Sequence, residues 1–297
     1  MWSQNHDRAD DARDAVAEHL PGYQIEAVTP FGEGEDNIAY QVNGELIVRF
    51  SKEPDPARRA TLVAREARLL AAVAGFSPVP VPEPEFTVAE RGCLAYRRLP
   101  GRPLLDLPLP KRLAHGPSVA ATLGGLLAAA HTVPVDQLAE LVEVDNPPPS
   151  EWLDEAAEIH TAIAEEIPEA HHRAVKDFLD TPPPADGCDP VFSHNDLGIE
   201  HVLVAPVTGA VTGVIDWSDA AIVDPAYDFG LLYRDLGPAA LDAALGTYQT
   251  GDLTTLRERA VFYARCSVFE DLAYGLETGQ DAYIDKSLTA LEWLFTS

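Results

Sequence analysis

The segment Phe192-Ser193-His194-Asn195-Asp196-Leu197-Gly198-Ile199-Glu200-His201-Val202-Leu203-Val204 places an aspartate two residues after one histidine and a second histidine five residues further on. Another aspartate, Asp216, stands twenty residues past Asp196, at the end of an apolar run. A carboxylate can orient a hydroxyl and take its proton, and a second carboxylate supplies the hard oxygen donor that magnesium prefers. The two functions close together are what phosphoryl transfer needs. His201 is a less usual magnesium donor than an oxygen. If it ligates it does so as neutral imidazole, so metal binding weakens as pH falls through roughly 6.5.

The elements that must hold these residues can be read around them. Residues 191–193, 202–204 and 211–215 are short and apolar, as strands flanking a loop should be. Helical spacing covers 118–131, 150–166 and 169–179, with Pro182-Pro183-Pro184 closing that set, and resumes from Tyr227 to the end with Gly237, Gly251 and Gly279 as punctuation. Before residue 100 the pattern is different. A helix at 9–20 precedes strands at 23–29, 38–42 and 45–50, the last two joined through Asn43-Gly44, a strong hairpin signal. A helix over 56–74 and a strand pair around Glu90-Arg91-Gly92 follow, and Pro100-Gly101-Arg102-Pro103 breaks the last strand. The expected architecture is α+β in two lobes: residues 1–99 with an antiparallel sheet, and residues 100–297, mostly helical and carrying the loop chemistry.

Composition narrows the partners. The 297 residues are 46% apolar and carry 48 acidic against 21 basic side chains, a formal net of −27. Such a charge repels nucleic acid and anionic membrane surfaces and attracts small cations. Cys93, Cys188 and Cys266 are scattered and odd in number, with no metal-binding or disulfide pattern, which fits a reducing compartment. The apolar stretch over 119–130 is shorter than the ~20 residues of a membrane span, and the start Met1-Trp2-Ser3-Gln4-Asn5-His6-Asp7 lacks a signal-peptide profile. A cytoplasmic protein, monomeric or weakly dimeric, is expected.

The loop resembles the H-x-D-x-x-x-x-N catalytic loop and following metal aspartate of protein kinases, in the version found in aminoglycoside and macrolide phosphotransferases. The likeness continues through Thr212-Gly213-Val214-Ile215-Asp216-Trp217-Ser218-Asp219-Ala220 and Asp224-Pro225-Ala226-Tyr227-Asp228-Phe229. It implies a kinase-like fold, with Asp196 as catalytic carboxylate, Asp216 as principal metal ligand and Asp228 as a buried brace of the loop. His201 replaces the usual asparagine, as it does in aminoglycoside 2″-phosphotransferases and macrolide phosphotransferases, and on that register is the second metal ligand.

The same resemblance locates a nucleotide, ATP or GTP, with Mg2+. Gly32-Glu33-Gly34-Glu35-Asp36-Asn37 stands where a phosphate-covering hairpin is expected, with Gly32 and Gly34 allowing close backbone approach. Arg49 replaces the usual lysine of the third strand, with Glu66 as its helix partner and Lys52 as a competing cation. Residues 93–99, with Arg97 and Leu99, correspond to the hinge beside the purine. For a cationic substrate the candidates are Glu200, Asp219, Glu270, Asp271, Tyr274 and Glu277, the helical stretch from Phe269 to Gly279 resembling the closing helices of the 2″-phosphotransferases. The expected activity is transfer of the γ-phosphate to a hydroxyl of an aminoglycoside-like antibiotic. The alternatives are a macrolide or metabolite kinase of the same fold, or a nucleotide-binding pseudokinase, for which Arg49 and His201 are the motivating departures.

Overall fold

The computed structural model describes residues 2–34 and 36–296; Met1, Glu35 and Ser297 lie outside the described residues. The chain divides into two compact units, one of residues 1–76 and 80–99, the other of residues 77–79 and 100–297.

The first unit holds helix α1 (Trp2–His19), strands β1 (Val28–Glu33), β2 (Asn37–Val42) and β3 (Leu46–Ser51), helix α2 (Pro56–Phe76), and strands β4 (Pro84–Val88) and β5 (Cys93–Arg97). The strands form one antiparallel sheet in the order β1-β2-β3-β5-β4. Period-two alternation sorts β3 between its faces. Leu46, Val48 and Phe50 join Ala12, Ala15 and Val16 of α1 in the core, while Arg49, on the opposite face, meets Glu66 of α2. Asn43 and Gly44 both have positive φ (53° and 76°), the type I′ geometry whose twist suits a two-residue hairpin. The Asn43 side chain accepts from the backbone N–H of Glu26 and Ala27, which fixes the approach to β1.

β1 begins later than the sequence pattern indicates. Residues 23–27 are irregular, and the strand runs through Phe31-Gly32-Glu33 instead, with a register shift between Pro30 and Gly32. Pro30 has no N–H to give the ladder, so the shift falls there. Gly32 is therefore a strand residue opposite Ala39, and of the two glycines only Gly34 lies in the connection.

The second unit holds β6 (Arg102–Pro103), α3 (Leu109–Ala130), α4 (Val135–Leu138), α5 (Pro149–Ile163), α6 (His172–Leu179), β7 (Val191–Ser193), β8 (Val202–Val204), β9 (Val211–Val214), β10 (Ala221–Val223), α7 (Tyr227–Leu236), α8 (Pro238–Tyr248), α9 (Leu253–Thr278) and α10 (Asp281–Leu294). β6-β8-β9 form a three-stranded sheet and β10-β7 a two-stranded one. The partners β6 and β10, two and three residues long, were not legible from sequence. Gly237, Gly251 and Gly279 all have positive φ and separate α7 from α8, α8 from α9 and α9 from α10.

α3 starts nine residues ahead of the expected Ser118 and carries Pro117 inside it. Proline removes one helical hydrogen bond, to the carbonyl of Leu113, and Leu113 is exposed, so water can take that carbonyl. At 22 residues α3 is long and apolar enough to cross a membrane by length and composition, yet its buried stripe, Val119, Leu123, Leu126 and Leu127 among it, packs within the unit. Gly124 lies against the backbone of Ala244 in α8: a Cβ there would strike the Ala244 carbonyl. Every residue of α7 is buried, including Asp228, Arg234 and Asp235.

Candidate active site

Residues 194–201 bridge β7 and β8, and their geometry is set by buried acceptors. Asp228, with no exposed surface, accepts from the Ser193 hydroxyl at 2.5 Å and from the backbone N–H of Asn195 and Leu197 at 3.0 and 3.1 Å. One turn-pair further along α7, Asp235 accepts from the Ile199 N–H at 3.1 Å. Behind Ser193, the His131 ring bonds the Ser193 oxygen at 3.2 Å and the Tyr248 hydroxyl at 2.9 Å. Because Ser193 gives its proton to Asp228, it must accept from His131 Nε2–H, which leaves Nδ1 to accept from Tyr248. That arrangement needs neutral imidazole, and burial pushes the His131 pKa down to about 4.

Asp196 projects from this braced loop with its side chain 41% exposed. Desolvation within the site raises its carboxyl above the ordinary range, opposed by His201 and His194. His194 donates from Nε2 to the Ile215 carbonyl, and the Ile215 N–H donates to the His201 carbonyl. The segment that ends at Asp216 is thereby bonded to both ends of the loop that carries Asp196. Asn195 and Asp216 both adopt left-handed backbone, φ 64° and 62°, a costly conformation for non-glycine residues that the surrounding bonds impose.

His201 lies between the two aspartates. Its Nδ1 donates to the Asp196 carbonyl at 2.8 Å, with the Asp196 carboxylate at 3.3 Å, and its Nε2 is 3.8 Å from the Asp216 carboxylate. A carbonyl only accepts, so a proton is on Nδ1, and in the neutral ring the Nε2 lone pair is left on the Asp216 side, a donor pair that fits a divalent cation. Burial lowers the His201 pKa, and the carboxylates of Asp196 and Glu200 more than reverse that, so the net shift is upward. Among the described residues no three histidine, cysteine or carboxylate side chains could hold a metal by themselves. The pair instead suits magnesium, which takes one or two protein ligands and completes its shell with phosphate and water.

A cavity of about 510 Å³ opens beside Asp196. Of the substrate candidates it brings together Glu200, Asp219, Glu270, Asp271 and Tyr274 with Asp196 and His201. Glu277 is exposed and outside it, because seven helical residues carry it about 10 Å along α9 from Glu270. Two of the carboxylates are already compensated: Lys286, 1% exposed, lies 2.9 Å from Glu200 and 3.2 Å from Asp271. Glu270 forms no ion pair among the described residues; desolvation, with Glu155, Asp271 and Asp196 adding to it against Arg234, raises its pKa.

The cavity also has walls that the sequence reading missed. Asp145, Trp152 and Glu155 come from α5 and the loop before it, and Tyr227, Arg234 and Tyr283 from α7 and α10. Trp152 and Glu155 are three apart on one helix face, a spacing that was visible, but nothing in the sequence tied that helix to Asp196. Asp145 also accepts from the Asn195 side chain at 2.9 Å.

In the first unit, Arg49 and Glu66 form an ion pair at 2.8 Å. Lys52 turns to the glycine-bearing connection, bonding the Gly34 carbonyl at 2.7 Å and Glu33 at 2.8 Å. Side chains added at Gly32 or Gly34 would meet open space. The Arg97 guanidinium is engaged by both oxygens of Glu85, and Leu99, half-buried, follows β5.

The braced loop thus sets one carboxylate, Asp196, beside a histidine–aspartate pair that could hold a divalent cation. The sequence profile of the Phosphotransferase enzyme family matches residues 27–262, and the chain belongs to that family and is an enzyme. It is 27% identical over 286 residues to viomycin phosphotransferase of Streptomyces vinaceus, covering 89% of this chain and 96% of that protein. Solved structures of similar fold include the GDP and kanamycin complex of an aminoglycoside 2″-phosphotransferase, with TM-score 0.67, 22% identity and coverage of 95% and 97%. Another is the apoenzyme of a macrolide 2′-phosphotransferase from Brachybacterium faecium, with TM-score 0.65, 25% identity and coverage of 96% and 98%. The antiparallel-sheet and helical units are thus those of the kinase-like phosphotransferase fold.

Proposed function

We propose that this enzyme moves the γ-phosphate of ATP or GTP, with magnesium, to a hydroxyl of a polycationic antibiotic. The observation that carries the reading is Asp196 at the mouth of a cavity whose walls include Asp145, Glu155, Asp219 and Glu270. These four carboxylates form no ion pair among the described residues, and their crowding favours a ligand that brings positive charge. A macrolide would need a broad apolar surface instead, so the acidic lining argues for aminoglycosides or another cationic acceptor, and the viomycin in the name of the similar Streptomyces enzyme is a further candidate.

In the reaction, Asp196 accepts the proton of the acceptor hydroxyl as its oxygen bonds to the γ-phosphorus, and the bond from that phosphorus to the β-phosphate oxygen breaks. Asp216 and His201 are the residues that would hold magnesium, which when bound would supply charge neutralisation on the phosphates. Arg49, fixed by Glu66, is the proposed cation for the α- and β-phosphates, with Gly32 and Gly34 leaving room for their backbone approach. The stretch from Arg97 to Leu99 is proposed to border the purine. The proposed lobes, 1–99 and 100–297, assign nucleotide to the first and acceptor to the second.

The test is a panel of aminoglycosides, viomycin and macrolides with ATP and GTP. Nucleoside diphosphate release that depends on a cationic acceptor supports the reading. Release with macrolides alone would overturn the substrate class, and nucleotide binding without any acceptor-dependent product would favour the pseudokinase alternative.

A further inference from the structure

Asp228 and Asp235 are seven residues apart, two turns along one face of the fully buried helix α7. Between them they accept the N–H groups of residues 195, 197 and 199, alternate donors of one loop. The two anchors differ in what stands behind them. Asp228 is backed by neutral groups, Ser193 and then His131. Asp235 is backed by cations: Arg234 binds it in a fork at 2.7 and 3.1 Å, and Lys286 of α10 lies 3.5 Å away.

Lys286 reaches past Asp235 to Glu200, the residue next to His201, at 2.9 Å. Glu200 is folded back under the loop to meet it, so closely that a Cβ at Gly198 would collide with the Glu200 carboxylate. The Asp196 end of the loop hangs on Asp228, while the His201 end hangs on Asp235 and Lys286, with the Ile215 N–H and the Asp196 carbonyl as further holds on His201 itself.

We propose that Asp235, with Lys286 behind it, is a positioning residue for the His201 end of the loop, and through it for the divalent cation, in addition to the hold of Asp228 on the Asp196 end. The inference rests on the reading of His201 and Asp216 as magnesium ligands. Removing the Asp235 charge frees Lys286 and Arg234 to pull on Glu200 and Asp271, and the displaced Ile199–Glu200 segment carries His201 away from Asp216. The bonds of Asn195 and Leu197 to Asp228 survive that change.

Mn2+ is the probe. Its binding to the full chain with a non-hydrolysable nucleoside triphosphate analogue is followed by electron paramagnetic resonance, for wild type, Asp235→Asn and Asp228→Asn, each checked for folding by circular dichroism. Asp235→Asn is expected to weaken Mn2+ binding about tenfold or more, the scale of losses from residues that support a metal ligand. Asp228→Asn is expected to weaken Mn2+ binding less than Asp235→Asn does, while turnover falls. If Asp235→Asn does not fold, Lys286→Gln carries the same comparison. Unchanged Mn2+ affinity in the Asp235 or Lys286 variant, or equal loss in both aspartate variants, overturns the inference. Wild type that binds no Mn2+ beyond what the nucleotide holds overturns the magnesium reading itself.

Discussion

Asp196 stands on a loop whose backbone donors are taken up beneath it, so its side chain can be changed with little effect on the fold. Replacement by asparagine is expected to lower kcat about 10²- to 10⁴-fold, the usual contribution of a positioned base, with KM and Tm nearly unchanged. Steady-state kinetics beside a thermal melt checks this; a matching fall in Tm would mean that the residue is structural. His131 gives a pH prediction. Its folded pKa, about 4, lies below the unfolded value, so between about pH 6.5 and 4 the unfolded chain binds a proton that the native protein refuses. Stability is therefore flat above pH 6.5 and falls towards pH 4, by about 3 kcal/mol for this group. An NMR titration should find the ring neutral at pH 5; a midpoint near 6.5 would contradict the buried chain from Tyr248 to Asp228. That Asp196, His201 and Asp216 stand together was legible in the sequence because short spacings along one segment place them. Lys286, Trp152 and Glu155 were not, because only the folded chain brings α5 and α10 to that segment.

At the scale of elements, function depends on short strands and one loop held by long helices, and packing at glycines decides how closely those helices lie. Gly124→Ala should destabilise by about 2 kcal/mol or more, since its Cβ meets the Ala244 backbone and not a side chain that could move aside. Gly246→Ala on α8 is the contrast: its Cβ meets nothing, and it should stabilise by about 0.5–1 kcal/mol through helix propensity. Chemical denaturation of both variants tests the pair; equal effects would contradict the close approach of α3 to α8. Elements with repeated local signals were readable, such as the Asn43-Gly44 hairpin and the glycine-separated helices after Tyr227. β1 was misplaced because Pro30 and Gly32 read as a break, whereas pairing with β2 carries the strand through them with one register shift. α3 was cut short at Pro117 because proline is a local signal and the burial of α3 a tertiary one.

For the whole molecule, the net charge of −27 acts with the acidic cavity. A cationic acceptor should be drawn in by both, so raising salt from about 50 to 500 mM is expected to increase its KM several-fold with little change in kcat. A KM insensitive to salt would mean that the cavity carboxylates do not face the acceptor. Asp196 is proposed to drive transfer of a phosphoryl group to a hydroxyl of a cationic antibiotic. Mass spectrometry of the acceptor after incubation with enzyme, magnesium and ATP or GTP tests it most directly. Gain of one phosphoryl group, dependent on Asp196, is the predicted result; an unmodified acceptor across aminoglycosides and viomycin with both nucleotides would contradict it.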